Sequence, residues 1–392
     1  MEIYTAKKET SASKKVVLDD MLLTKDMPTA AGSKMLKGYM SLLDAEVISR
    51  MENAGYGIAG KTDVGEFAID LLGETSANGA IIKDGKIQNA SSLALENGDV
   101  DAAVCLDVNG SVRRAAAQSG LVSIKPTYGT VSRYGLVPVA CSGETVSVMA
   151  KTAKECADLL FAISGHDAKD GTSLSDEKCE SAKQINPIKK IAIIENLTPD
   201  GCKAMENAKA AFEAQGIEVT KISSDVLFAA RAAWNILMSA ELCNNVSRYD
   251  GVKYGYRTPN YKNIDELYTN SRTEAFGELL KTAILFGSDT LSTDNYMKVY
   301  DKALRIRRVV CEEFGKLFNE YDAVLLGVCS TLAYNEADLS DKYKVYKENV
   351  YTAPASISGL PAVVAGKVQL IGRSFSDASL LETAKILTKE GK

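Results

Sequence analysis

At 392 residues, with 46% hydrophobic and 25% charged side chains, the chain has a globular composition and enough length for one large domain or two to three ordinary ones. A net charge of −5 argues against a surface built to grip nucleic acid directly. Eight cysteines (Cys105, Cys141, Cys156, Cys179, Cys202, Cys243, Cys311 and Cys329) form no CxxC pair, and His166 is the single histidine. That leaves little for a metal site and fits free thiols in a reducing cytosol.

In chain order, the first fifteen residues are polar and contain no apolar leader. No later run is expected to reach membrane-spanning length, so the chain reads as cytoplasmic. Residues 16–23 (VVLDDMLL) read as a strand, and residues 42–55 as an amphipathic helix with apolar positions at helical spacing. GYGIAG, residues 55–60, reads as a short buried strand, and TDVGEFAIDLLG as the start of a helix. VDAAVCLDV is a further strand. Residues 189–197, 201–215 and the segment IEVTKISS form a β-α-β pattern. Long helices are expected over 226–245 and 295–319, and YDAVLLGV returns to strand. This alternation predicts an α/β fold, a mixed sheet covered by helices on both faces.

Asp107-Val108-Asn109-Gly110-Ser111-Val112-Arg113 delivers a serine to the start of an Ala-rich helix. There its hydroxyl lies beside unpaired N–H donors and the positive end of the dipole, a setting that suits a nucleophile whose oxyanion must be held. The alternative is an ordinary N-cap. Lys61 follows the apolar GYGIAG, and a lysine desolvated in that way loses basicity and becomes a usable general base. GYGIAGKT also satisfies the phosphate-loop pattern G-x-x-x-x-G-K-[ST]. Its context is wrong for that role, because a helix precedes Gly55, and the aspartate-ended run VVLDD lies before the loop instead of after it.

The serine block and the runs KPTYGTVSRYGLV, ISGHDAKDGTS, SRYDGVKYGYR, SRTEAFG and VQLIGRSF together resemble the amidase signature family, in its branch of amidotransferase A subunits. The likeness covers most of the chain and implies one amidase-signature domain over 1–392, with a shortened N-terminus and a shortened C-terminal hairpin. It implies a Ser–Ser–Lys triad in which Lys61 is the base, Ser91 (or Ser92) the relay serine after a cis peptide bond, and Ser111 the nucleophile. Backbone N–H groups of Val108, Asn109 and Gly110 would form the oxyanion hole, with Asn109 standing where the family has glycine. Arg307 would grip the α-carboxylate of glutamine, with Tyr256 in the same pocket. Asn349 replaces an acid that would face the substrate ammonium. The resemblance further implies glutamine hydrolysis that supplies ammonia for transamidation of a tRNA-bound glutamate. B and C subunits would be partners, with ATP and Mg2+ on the B subunit, tRNA held mainly by the partner, and no cofactor or metal in this chain. The shortened serine loop leaves a second reading, a catalytically weakened binding or scaffold protein, and a third, an amidase for another small amide.

Overall fold

The computed structural model describes residues 2–199 and 201–388. Its strands are β1 (Tyr4–Lys7), β2 (Lys14–Asp19), β3 (Tyr56–Thr62), β4 (Ile82–Lys83), β5 (Lys86–Ile87), β6 (Ala102–Asp107), β7 (Val122–Lys125), β8 (Thr145–Ala150), β9 (Lys190–Ile194), β10 (Glu218–Ile222), β11 (Ala323–Leu326), β12 (Ala362–Ala365) and β13 (Val368–Gly372). Eleven of them form one sheet in the order β1-β3-β2-β6-β8-β7-β12-β13-β11-β9-β10, and β4 and β5 pair separately. Parallel pairs (β2 with β3 and β6; β9 with β10 and β11) adjoin antiparallel ones (β6–β8, β7–β8, β12–β13), so the sheet is mixed.

The strands are apolar on both faces because both faces are covered. In β2, Val16 and Leu18 enter one core cluster and Val17 the other. Across β6, Val104 and Leu106 join the first, and Ala103 and Cys105 the second. Helix α1 (Glu46–Asn53) and, further on, α4 (Ala153–Ile163) contribute Val47, Ile48, Leu159 and Leu160 to the first cluster. Helices α2 (Ala90–Asn97) and α3 (Ser111–Ser119) contribute Leu93, Ala94, Val112 and Ala115 to the second.

The fold corrects two expectations. TDVGEFAIDLLG does not begin a helix. Only Glu66–Ala68 makes a 3-10 turn, in which Phe67 and Ala68 have φ of 53° and break the helical run. The helix Asp225–Val246 is long and apolar enough, by length and composition, to cross a membrane. In this fold its Leu227, Trp234, Leu237 and Met238 are buried in the first core cluster, which accounts for its apolar character. The C-terminal hairpin is tight. Gly366 and Lys367 both have positive φ between β12 and β13, as a two-residue primed turn requires.

Candidate active site

Ser111 opens α3 directly after Gly110, which is left-handed at φ 87° and ψ 20°. The helix start is pinned from the far end of the chain, where the Thr352 hydroxyl donates to the Asn109 carbonyl at 2.8 Å. A Cβ on Gly110 would lie 2.4 Å from the Thr352 methyl, so glycine is required here for space as well as for φ. Asn109, which stands where the family has glycine, does not have positive φ. Its side chain instead donates to the Ile69 carbonyl at 2.7 Å and accepts from the Trp234 indole at 2.8 Å. The Val108 carbonyl faces the Ser356 hydroxyl at 3.4 Å. The turn carrying Val108, Asn109 and Gly110 is therefore tied to the loop before α2 and to two other helices.

Behind the turn, Arg113 is wholly buried and all five of its N–H donors are used. Nε and one Nη2 hydrogen reach the two Asp107 oxygens at 2.9 Å, and the rest reach Ser356, Gln369 and the Thr352 carbonyl. Burial works to raise the Asp107 carboxyl, but Arg113 and Lys125 outweigh it and hold it below its ordinary value.

Ser111, Val112, Ser91, Asn89, Asp19, Asp70 and Cys105 line one small cavity of about 20 Å3. Ser91 and Ser111 thus line the same cavity. Ser91 is not in a loop after a cis bond, however. It lies in the first turn of α2, and the described backbone contains no cis peptide. Asn89 caps that helix by accepting from the Ser92 amide at 3.0 Å, so the segment folds into helix where a serine loop was expected. The Ser92 hydroxyl is taken up by the Asn89 carbonyl. Ser91 Oγ lies 2.7 Å from the Thr62 hydroxyl and accepts the Cys105 thiol at 3.6 Å.

Lys61 is the main correction, because it is not in this cavity. Its ammonium donates to the Pro28 carbonyl at 3.0 Å and to the Thr29 hydroxyl, and pairs with Asp20 at 3.5 Å. Thr62, the next residue, is the one that meets Ser91, and successive side chains on a strand leave on opposite faces. Burial lowers the lysine pKa while Asp20 works to raise it. The phosphate-loop alternative is also closed, since residues 56–62 are all strand.

The three expected substrate contacts do not converge on the serines, and none lines the cavity. Arg307 donates to the Ser142 hydroxyl at 3.0 Å and to its carbonyl at 2.9 Å. Tyr256 donates to Glu274 at 2.6 Å. Asn349 accepts from the buried Arg114 at 2.8 Å and donates to Asn235.

What sequence reasoning misses is Asp19, which lines the same cavity as the serines. Its oxygens accept the Leu106 amide at 2.6 Å and the Met21 amide at 3.2 Å, and burial pushes its pKa up to about 7. Asp70, on the loop wall, has one oxygen held by Thr75 and the other unpartnered; burial raises it, with Glu74 adding to the effect. The available signal is an apolar run ending in two aspartates, which in sequence looks only like a metal-holding strand. The second buried lysine, Lys125, donates to the Leu360 carbonyl at 3.1 Å and is pushed down to about 7 by burial, with Arg113 next in effect.

Comparison with known proteins places these features in a family. The amidase family model matches residues 16–381. The chain is 34% identical over 363 residues to the A subunit of glutamyl-tRNA(Gln) amidotransferase from Ligilactobacillus salivarius, covering 88% of this chain and 74% of that relative. It is 35% identical over 387 residues to the protein of the same name from Coxiella burnetii, covering 92% and 80%. The crystal structure of the A subunit of glutamyl-tRNA(Gln) amidotransferase from Thermotoga maritima superposes with a TM-score of 0.80 at 27% identity, over 98% of this chain and 86% of that one. With a serine at the head of α3, a mixed sheet behind it and these likenesses over nearly its whole length, the chain belongs to the amidase family.

Proposed function

We propose that the chain is an amide-cleaving subunit of the A type, with Ser111 attacking the side-chain amide of glutamine and releasing ammonia. A B subunit carrying ATP and Mg2+, clasped by a C subunit, would use that ammonia on tRNA-bound glutamate in the cytoplasm. One observation carries the reading. The Ser111 hydroxyl makes no hydrogen bond among the described residues, stands at a helix N-terminus, and opens into the cavity it shares with Ser91. A cavity of about 20 Å3 holds about one water, so substrate binding needs the cavity to widen.

The relay through Lys61 is not part of this proposal, because that lysine is spent on Asp20 behind the sheet. The same observation favours a second reading, a weakened relative that binds the partner subunits without turnover. Glutamate release from glutamine, measured alone and with added B and C subunits, separates the two. Release that disappears in Ser111→Ala supports the amidase. Tight partner binding with no release from any small amide supports the scaffold.

A further inference from the structure

Two polar side-chain atoms of the serine cavity have no partner among the described residues, the Ser111 hydroxyl and Oδ1 of Asp70. The other polar side chains that line it are satisfied. Asp19 accepts two backbone amides, Asn89 caps α2 and reaches the Leu72 carbonyl, and Ser91 is shared between Thr62 and Cys105. A buried polar atom left without a partner costs free energy, and one on the wall of a cavity is completed by what binds there.

Asp70 has little freedom to move. It is buried, and its carboxyl lies against Gly65, where an added Cβ would be 1.8 Å from Oδ2 and 2.3 Å from Oδ1. Oδ2 accepts both the Thr75 amide at 2.9 Å and the Thr75 hydroxyl at 2.8 Å. With Oδ2 filled by two donors, a proton on this carboxyl belongs on Oδ1, which makes the free atom a donor. An amide offers it one strong acceptor, the carbonyl oxygen, because the nitrogen lone pair is delocalised. Building on the reading of Ser111 as nucleophile, the geometry points to Asp70 as a catalytic residue that, in its acid form, donates a hydrogen bond from Oδ1 to the carbonyl oxygen of the substrate amide.

Burial raises the Asp70 pKa well above the ordinary carboxyl value, which favours the acid form. Glu74 on the same loop adds to the rise, while Thr75 and the Arg114 guanidinium from α3 oppose it. Asp19 from β2 and Cys105 from β6 are the other titratable groups on the cavity wall. As Ser111 Oγ bonds to the carbonyl carbon, the π pair moves onto oxygen and the contact with Oδ1–H strengthens. Asp70 keeps its proton throughout. Collapse breaks the C–N bond, and the Ser111 proton leaves with the nitrogen as ammonia. The side chain adds to the backbone N–H groups at the head of α3, which have no partners within the helix.

The test is glutamate release from glutamine by the full chain with the B and C subunits present. Asp70→Ala removes the donor and should lower kcat by about 100-fold or more. Asp70→Leu serves the same purpose where the alanine variant fails to fold. Asp70→Asn should retain kcat within about tenfold, because its carbonyl stays on Thr75 and its NH2 group turns toward the cavity as a donor. A carboxyl with a merely structural role gives no such rescue. An asparagine variant as slow as the apolar ones overturns the proposal, and so does an apolar variant with unchanged kcat. In those cases release that disappears in Ser111→Ala still supports the nucleophile assignment. Release that survives Ser111→Ala, or no release from the unsubstituted chain, removes that assignment and the proposal with it.

Discussion

Lys61 and Thr62 are neighbours in the chain, yet one meets Asp20 and the other meets Ser91. Which of the two takes which face is set by a single residue. The register of β2 against β3 jumps from Val16–Ile58 to Val17–Gly60, leaving Ala59 unpaired as a bulge. Strict alternation from Ile58 would put residue 61 on the serine side, and the extra residue sends it to the other face. Gly60 makes the bulge possible. Its φ is 148°, and a Cβ there would lie 2.3 Å from the Ala6 carbonyl oxygen. At the nucleophile turn, Gly110→Ala should lower stability by more than about 1–2 kcal/mol, since alanine has to be left-handed and also meets Thr352. Urea titration measures this, and an unchanged midpoint would contradict the steric argument. Arg113→Ala should cost about 3–5 kcal/mol by stranding the Asp107 carboxylate in the core. Chemical denaturation at pH 7 would show it, and a loss below about 1 kcal/mol would mean the network relaxes.

Helix α2 carries Ser91, and its position depends on its cap. Asn89 accepts from the Ser92 amide and donates to the Leu72 carbonyl at 3.0 Å, so one side chain ends the helix and ties it to the loop lining the cavity. Asn89→Ala should cost about 1 kcal/mol in stability. It should also slow Ser111-dependent glutamate release, because Ser91 lines the cavity with Ser111. Equal release rates with lowered stability would show that α2 takes no part in the chemistry. Most strands and long helices are legible from apolar periodicity, including β2, β6, β9 and Asp225–Val246. The turn after β3 is not. Its apolar Phe67, Ala68 and Ile69 mimic a helix start, but the chain bends there to bury Phe67 against Tyr249 and Phe276.

Across the molecule, several carboxyls are buried with their pKa raised, chiefly by burial: Asp19 and Glu66 to about 7, and Asp20 to about 6. A raised carboxyl binds its proton more tightly when folded. Its stabilisation is therefore full below the unfolded value near 4 and is lost as pH rises through the folded value. We expect the melting temperature to fall between pH 5 and 7.5, and scanning calorimetry at constant ionic strength checks this. A flat profile over that range would mean that these carboxyls ionise as freely in the fold as in the unfolded chain. The α/β class, the serine at a helix head and the motifs of the amidase family can all be read from residue order, because they depend on local pattern and short spacings. Which acid or base faces that serine cannot, since it is settled in three dimensions. One bulged residue in β3 reverses a side chain's face, so that Thr62 instead of Lys61 meets Ser91 beneath α2.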